Sequence, residues 1–421
     1  MRSTIYLFVA AFFLCAAYSC RQVMIYPHSG RPPGDKLLTI DLVYPNADTT
    51  DYGTTFELII SEPGGKILLD TIAPYNVPIV AKMTTSKPLL DVSTVVYSPT
   101  FNSYSMIINK SVQPETWEVI PGNPPPLTFP NAIPGTITYT NAPQVDFNSV
   151  HFSSLPTTST LEPSVANYAN GQLDISYSGL SGNNLAYLIL PTIGQYSYQP
   201  IHAVNDTISL SQMDSTIRVS FSMPPQYSLA ASTMWGYLDT TDFTKYLLLY
   251  SYYQSLSLGD LQYPPKKRVP AQKYAVDVEA TSPNSEFLAY RTFGAAPPAG
   301  TLSVPFPANP IYTLNSTTND SFSVSFAQQP TNYTTNWSAG NLNVSINAAP
   351  DSMLIRALPL VTSLHSKLLQ GQSLSGLALQ NFDYEIAAGQ TYASYYTHQT
   401  NPQQLIQNPF ASDLLYLLFL E

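Results

Sequence analysis

The side chains able to do chemistry are few and scattered. His28, His151, His202, His365 and His398 lie far apart, and no two stand at the spacing of a local metal site. They read as surface or hydrogen-bonded histidines. No G-x-S-x-G turn presents a nucleophile. Gly64-Gly65-Lys66 lacks the upstream glycine and the Ser or Thr of a phosphate loop, so it reads as a hairpin turn. Asp48-Thr-Thr-Asp51 and Asp239-Thr-Thr-Asp242 each offer two carboxylates. Calcium takes roughly six to eight oxygens, and turn formation explains these loops better. The two loops form a short internal echo, either a duplicated hairpin or a chance match in a Thr-rich chain. Asp174, Asp277 and Glu279 fall on the wet faces of expected strands, where solvation accounts for them. No catalytic residue, metal site or cofactor is expected.

Tyrosine is the exception, with 30 residues in the chain. In a strand over 246–253, Tyr246, Tyr250 and Tyr252 share one face, with Leu247 and Leu249 on the other. Tyr196 and Tyr198 repeat the arrangement, as do Tyr392 and Tyr396. A row of phenol rings can stack on sugar rings and hydrogen-bond their hydroxyls, and it also suits protein contacts. The competing explanation is that Tyr favours strands and caps a sandwich core.

The two cysteines bear on location. Cys15 sits in an apolar stretch over 5–17 that follows Arg2, and small residues lead to Ala17-Tyr18-Ser19-Cys20. The apolar run is too short to span a bilayer and has the order of a secretory signal. The segment resembles the lipobox of bacterial lipoproteins. That resemblance covers residues 1–20 and departs from the usual pattern at Ala17 and Tyr18. It implies a signal over 1–19, lipidation of Cys20, and the outer membrane of a Gram-negative cell. It implies a tether over 20–35. More than one acyl chain would make that anchorage stable. Loss of Cys15 leaves Cys20 alone, so no intramolecular disulfide is expected.

Composition narrows the function classes. The chain has 17 Lys and Arg against 27 Asp and Glu, a net charge of -10. Such a chain is a poor partner for nucleic acid. Charged residues make up 10% where about 25% is usual, yet 44% are hydrophobic, which excludes global disorder. The polar remainder is largely Ser, Thr, Asn, Gln and Tyr. Asn-x-Ser/Thr triplets at Asn315, Asn319, Asn332, Asn336 and Asn343 follow from that composition.

The positioning elements are strands. Apolar residues recur at every second position in seven runs, at 38–44, 104–108, 173–177, 217–223, 274–278, 322–326 and 342–346. One buried and one wet face is the signature of antiparallel sheet. Leu360, Leu364 and Leu368 suggest one helix between Pro359 and Gly371. The run 414–420 suits a buried last strand. Pro-rich stretches at 122–135 and 295–310 divide the body into 36–121, 136–294 and 311–421. The middle piece is long enough for two domains. Each piece holds one tryptophan, Trp117, Trp235 or Trp337, as a core anchor. The expected fold is all-β, with tandem immunoglobulin-like β-sandwiches. The expected function is a lipid-anchored envelope binding or adhesion protein whose partner is a glycan or another envelope protein. A carbohydrate-active enzyme and a structural spacer are the alternatives.

Overall fold

All seven alternating runs form strands, and the computed structural model is nearly all β. It describes residues 23–25, 36–42, 54–63, 65–74, 79–85, 87–113, 116–119, 133–144, 150–155, 166–180, 184–203, 205–239, 246–253, 260–265, 268–282, 287–308, 311–352, 354–400 and 414–420. Among them, no helix is long and apolar enough to cross a membrane.

The dominant feature is a twelve-stranded sheet. In spatial order it runs β19 (Tyr246–Tyr253), β18 (Ser228–Tyr237), β21 (Lys273–Thr281), β22 (Phe287–Gly294), β30 (Leu414–Leu420) and β29 (Ala378–Ala387). It continues through β26 (Asn332–Ala339), β27 (Leu342–Ala348), β7 (Ser103–Val112), β6 (Leu90–Ser98), β3 (Thr55–Ser61) and β4 (Ile67–Pro74). Neighbours are antiparallel except β27 and β7, which run parallel. Strands from all three expected segments therefore share one hydrogen-bonded sheet. The apolar run 414–420 is the seam between two of them, since β30 pairs β22 on one side and β29 on the other.

Two small sheets lie against one face of the large one. They are β20 (Leu261–Tyr263), β17 (Ile217–Ser222) and β23 (Thr301–Ser303), and β24 (Tyr312–Thr318), β25 (Ser321–Phe326) and β28 (Leu354–Ile355). Val219, Leu261 and Tyr263 from the first, with Phe322, Val324 and Ile355 from the second, meet Met234, Val276, Val344 and Phe382 in the main core. Trp337 is 1% exposed there; its indole N–H donates to Thr335 Oγ1 at 2.9 Å and its ring meets Phe322 edge-on.

A second core lies between two four-stranded sheets. One is β11 (Ala166–Ala169), β12 (Gln172–Leu180), β9 (Ile133–Thr140) and β15 (Thr207–Ser209). The other is β10 (His151–Leu155), β13 (Asn184–Leu190), β14 (Gln195–Ile201) and β16 (Asp214–Ser215). Ile137, Leu173, Phe152 and Leu188 fill the space between them as in a β-sandwich. Strand β13 is buried on both faces, because Leu188 and Leu190 enter this core while Tyr187 and Ile189 enter the main one. That double burial explains its nearly unbroken apolar run. A sixth sheet comprises β1 (Val23–Ile25), β5 (Ile79–Thr85), β2 (Lys36–Leu42) and β8 (Thr116–Val119).

Four local expectations are corrected. The helix α1 (Ala357–Ser363) starts before Pro359 and ends before Leu364. Proline in a first helical turn costs little, because the N–H it lacks has no partner there anyway. Tyr392 and Tyr396 lie on a helix, α2 (Tyr392–Thr400), and not on a strand. A spacing of four fits both periods, and here the helical one prevails. The duplicated hairpin is absent: β18 and β19 pair, but β2 and β3 belong to different sheets. Trp235 is only half-buried and lies on the face opposite the main core, and the Trp117 side chain falls outside the described residues.

Candidate functional site: the outer face of the large sheet

The expected tyrosine rows are not surface rows. Tyr250 is 1% exposed in the main core, next to Leu247 and Leu249. The cause is a bulge: Trp235 pairs Leu248 and Met234 pairs Tyr250, so Leu249 is an extra residue. One inserted residue reverses the alternation beyond it, so Tyr246 and Tyr250 no longer share a face. Tyr196 is also 1% exposed, and Tyr198 packs against the same core, where β13 and β14 meet it. The Tyr187 hydroxyl donates to the Leu249 carbonyl at 2.8 Å across this junction. The Tyr252 side chain and Cys20 lie outside the described residues. Among the described side chains of these five tyrosines, only Tyr246 joins an aromatic group outside the main core.

That group occupies the opposite, outer face of β18, β19, β21 and β22. Trp235, Tyr237, Tyr246, Ala275 and Phe293 form a small apolar cluster there. Register dictates it, since Tyr237 pairs Tyr246, Trp235 pairs Ala275, and Ala275 pairs Phe293. Tyr237 and Ala275 are buried, and Trp235, Tyr246 and Phe293 are half-buried. Arg291 stands over the Trp235 ring at 6.0 Å, and Lys273 over Phe293 at 5.7 Å. The Arg291 guanidinium grips Asp277 with both ends of its fork, Nε to Oδ1 at 2.5 Å and Nη2 to Oδ2. Glu279 sits two residues along β21, and burial pushes its carboxyl up. Large rings beside fixed charged hydrogen-bonding groups make a surface that can stack on a ligand and orient it. Asp174 lies elsewhere, in β12, accepting from Thr138 Oγ1 at 2.7 Å.

Towards the centre, the same face becomes a ladder of neutral polar groups. Asn347 donates to Asn109 at 2.7 Å, and Thr334 to Asn347 at 2.7 Å. Ser345 donates to Asn336 at 2.6 Å, and Asn336 to Asn381 at 2.5 Å and Asp383 at 3.1 Å. Outward polar residues alternating with inward Tyr333 and Trp337 generate the triplets at Asn332 and Asn336. Strand patterning thus accounts for those two sequons.

The ladder ends at two acids that sequence reasoning missed. Asp383 and Glu385 are successive outward residues of β29, opposite Thr334 and Asn332 of β26. Burial, and then the charge of Glu385, push the Asp383 carboxyl up to about 7, although Asn336 donates to it at 3.1 Å and Thr334 lies within hydrogen-bonding reach. Burial likewise pushes Glu385 up, against hydrogen bonds from Tyr395 and Asn332. The available signal was the alternation Asn381-Phe382-Asp383-Tyr384-Glu385, which sets three polar groups on one face.

No family model and no curated protein matches this chain. Among solved structures, a 1.5-MDa bacterial ice-binding adhesin, described for its retention on the host cell surface, is 8% identical. That alignment covers 86% of this chain and 94% of the other, with a TM-score of 0.12. The Bacillus anthracis TIE protein is 10% identical over 63% of this chain and 50% of its own, with a TM-score of 0.13. Likeness this slight carries no inference about fold or function.

Proposed function

We propose that this chain is a lipid-anchored protein of the Gram-negative cell envelope that binds a glycan on the outer face of its large sheet. The observation that carries the reading is the group of Trp235, Tyr246 and Phe293, half-buried outside the main core beside the Arg291–Asp277 pair. Aromatic faces accept the apolar side of a sugar ring, while charged forks and amides suit its hydroxyls. The Asn336, Ser345 and Asn347 ladder extends the same face with neutral donors and acceptors. An enzymatic reading is weaker. Hydrolysis of a glycosidic bond needs accessible facing carboxylates, and Asp383 is 8% exposed.

The test is a glycan array on the mature chain, followed by titration of the best hit. Trp235→Ala is expected to weaken that hit about tenfold or more, the loss of roughly 1.4 kcal/mol or above typical of a buried aromatic contact. Tyr250→Phe, altered inside the core, should leave affinity unchanged. Absence of binding to every glycan by the folded chain would sink the reading. The anchor rests on the sequence of residues 1–20. Cys20→Ser should move the protein from the membrane fraction to the soluble one, and continued membrane fractionation would contradict lipidation.

A further inference from the structure

The edge strands of the six sheets are not alike. Among the described residues, β1, β8, β10, β11, β15, β16, β20, β23 and β28 border the five smaller sheets, each with five residues or fewer. The remaining small-sheet edge, β24, is seven residues long, but it is polar and bulged between Leu314 and Ser316. Short, polar and bulged edges are the usual means by which sheets avoid joining one another. The large sheet ends in β19 and β4. At β19 the small sandwich engages the strand: the Leu248 N–H donates to Ser153 Oγ at 3.1 Å, and His151 meets the Tyr250 ring edge-on. At β4 no strand pairs the outer side among the described residues. This edge is eight residues long and reads Ile-Leu-Leu-Asp-Thr-Ile-Ala-Pro. Its one bulge, at Leu68, precedes the regular stretch 69–74. Leu68 and Leu69 are half-buried, and Ile72 is 42% exposed. Its one charged side chain, Asp70, is matched by Lys367 at 2.7 Å. A long, apolar, unguarded edge is a template for another strand.

We propose that β4 is a dimer interface, pairing antiparallel with β4 of a second copy of this chain about a two-fold axis at Thr71. One open edge on the large sheet closes into a pair, whereas two would build a filament. The strand is self-complementary about that axis. Thr71 meets its own copy, Leu69 lies opposite Ala73, and Asp70 lies opposite Ile72. No like charges oppose each other, and a Thr–Thr pair across strands is favourable. The two Ile72 side chains become diagonal neighbours and cover each other. Lys66 and Lys87, gathered around Glu62 at the hairpin turn, fall beyond the paired stretch 68–74. One sheet then runs through both copies. The seam lies at the opposite edge from Trp235 and Tyr246, so the dimer stands independently of the glycan reading.

The experiment is sedimentation equilibrium on the mature chain carrying Cys20→Ser. A monomer–dimer equilibrium with a dissociation constant of about 10 µM is expected, because two edge strands bury less than a standard interface of roughly 1,600 Å². Ile72→Lys places a charge at the seam and should weaken the dimer at least about tenfold with its melting temperature unchanged. Ile193→Lys, at a similarly exposed isoleucine on the small sandwich, should dimerise as before. In the same background, Thr71→Cys should give a covalent dimer under mild oxidation, and Thr318→Cys on the β24 edge should not. The proposal fails if the chain stays monomeric up to about 200 µM, twentyfold above the expected constant. It fails equally if species larger than the dimer accumulate, if folded Ile72→Lys dimerises as the parent does, or if Thr71→Cys forms no cross-link.

Discussion

Asp383→Asn is expected to stabilise the folded chain at pH 8 by up to roughly 4 kcal/mol, and to leave it unchanged or weaker at pH 4. Burial first, and the neighbouring Glu385 second, raise the Asp383 carboxyl from 3.8 to about 7. The folded state therefore holds its proton where the unfolded chain has released it. The stabilisation is fully present below pH 3.8 and fades as pH rises through about 7, the reverse of an ion-paired carboxylate. Each pH unit between the two values is worth about 1.4 kcal/mol, which sets the upper figure. Asparagine keeps the shape and can still meet Asn336 and Thr334, but it has no charge to bury. Burial, and then the charges of the same two acids, push the Tyr416 hydroxyl of β30 up, so it stays neutral beside them. Urea unfolding from pH 4 to pH 8 checks this. Wild-type stability should fall across that range relative to the variant. Parallel curves would show that Asp383 ionises in the fold as it does in water.

How far the chain could be read beforehand follows from which interactions are local. The run Tyr274, Val276, Val278 alternates because one face of β21 meets the main core, and such a pattern survives in any sheet partner. Partnership itself is not local. Nothing in 414–420 says that it will lie between β22 and β29, because apolar character does not name a neighbour. The tyrosine rows failed for a related reason. A bulge at Leu249 shifts the phase of β19 by one residue, and a bulge is specified by the opposing strand. Tyr196 looked outward until β14 had something to pack on. The neighbours of Asp383 and Glu385, Thr334 and Asn332, are set by the register of β29 on β26. Composition and period thus reach as far as strands and faces. Edges, junctions and constellations belong to the pairing of distant segments.

One such junction should dominate stability. Glu57 is 0% exposed in β3, on the main-core side, yet it carries a carboxylate. Three donors from the turn after α1 converge on it: the Ser366 hydroxyl, the Lys367 N–H at 2.7 Å and the Leu368 N–H at 3.2 Å. Lys367 also reaches Asp70 on the neighbouring β4 at 2.7 Å. Among the described residues no other anion meets these N–H groups, which would be orphaned if the carboxylate were removed. Glu57→Ala is therefore expected to cost about 3–5 kcal/mol, the range for stripping one partner from a buried charged arrangement. Glu57→Gln should cost less, since one amide oxygen can still accept, but its NH2 would face the same donors. Lys367→Ala removes only a half-exposed ion pair and should cost under about 1 kcal/mol. Urea midpoints of the three variants decide the matter. If Glu57→Ala lay within about 0.5 kcal/mol of the wild type, the first segment and the turn at 366–369 would be held together by packing alone.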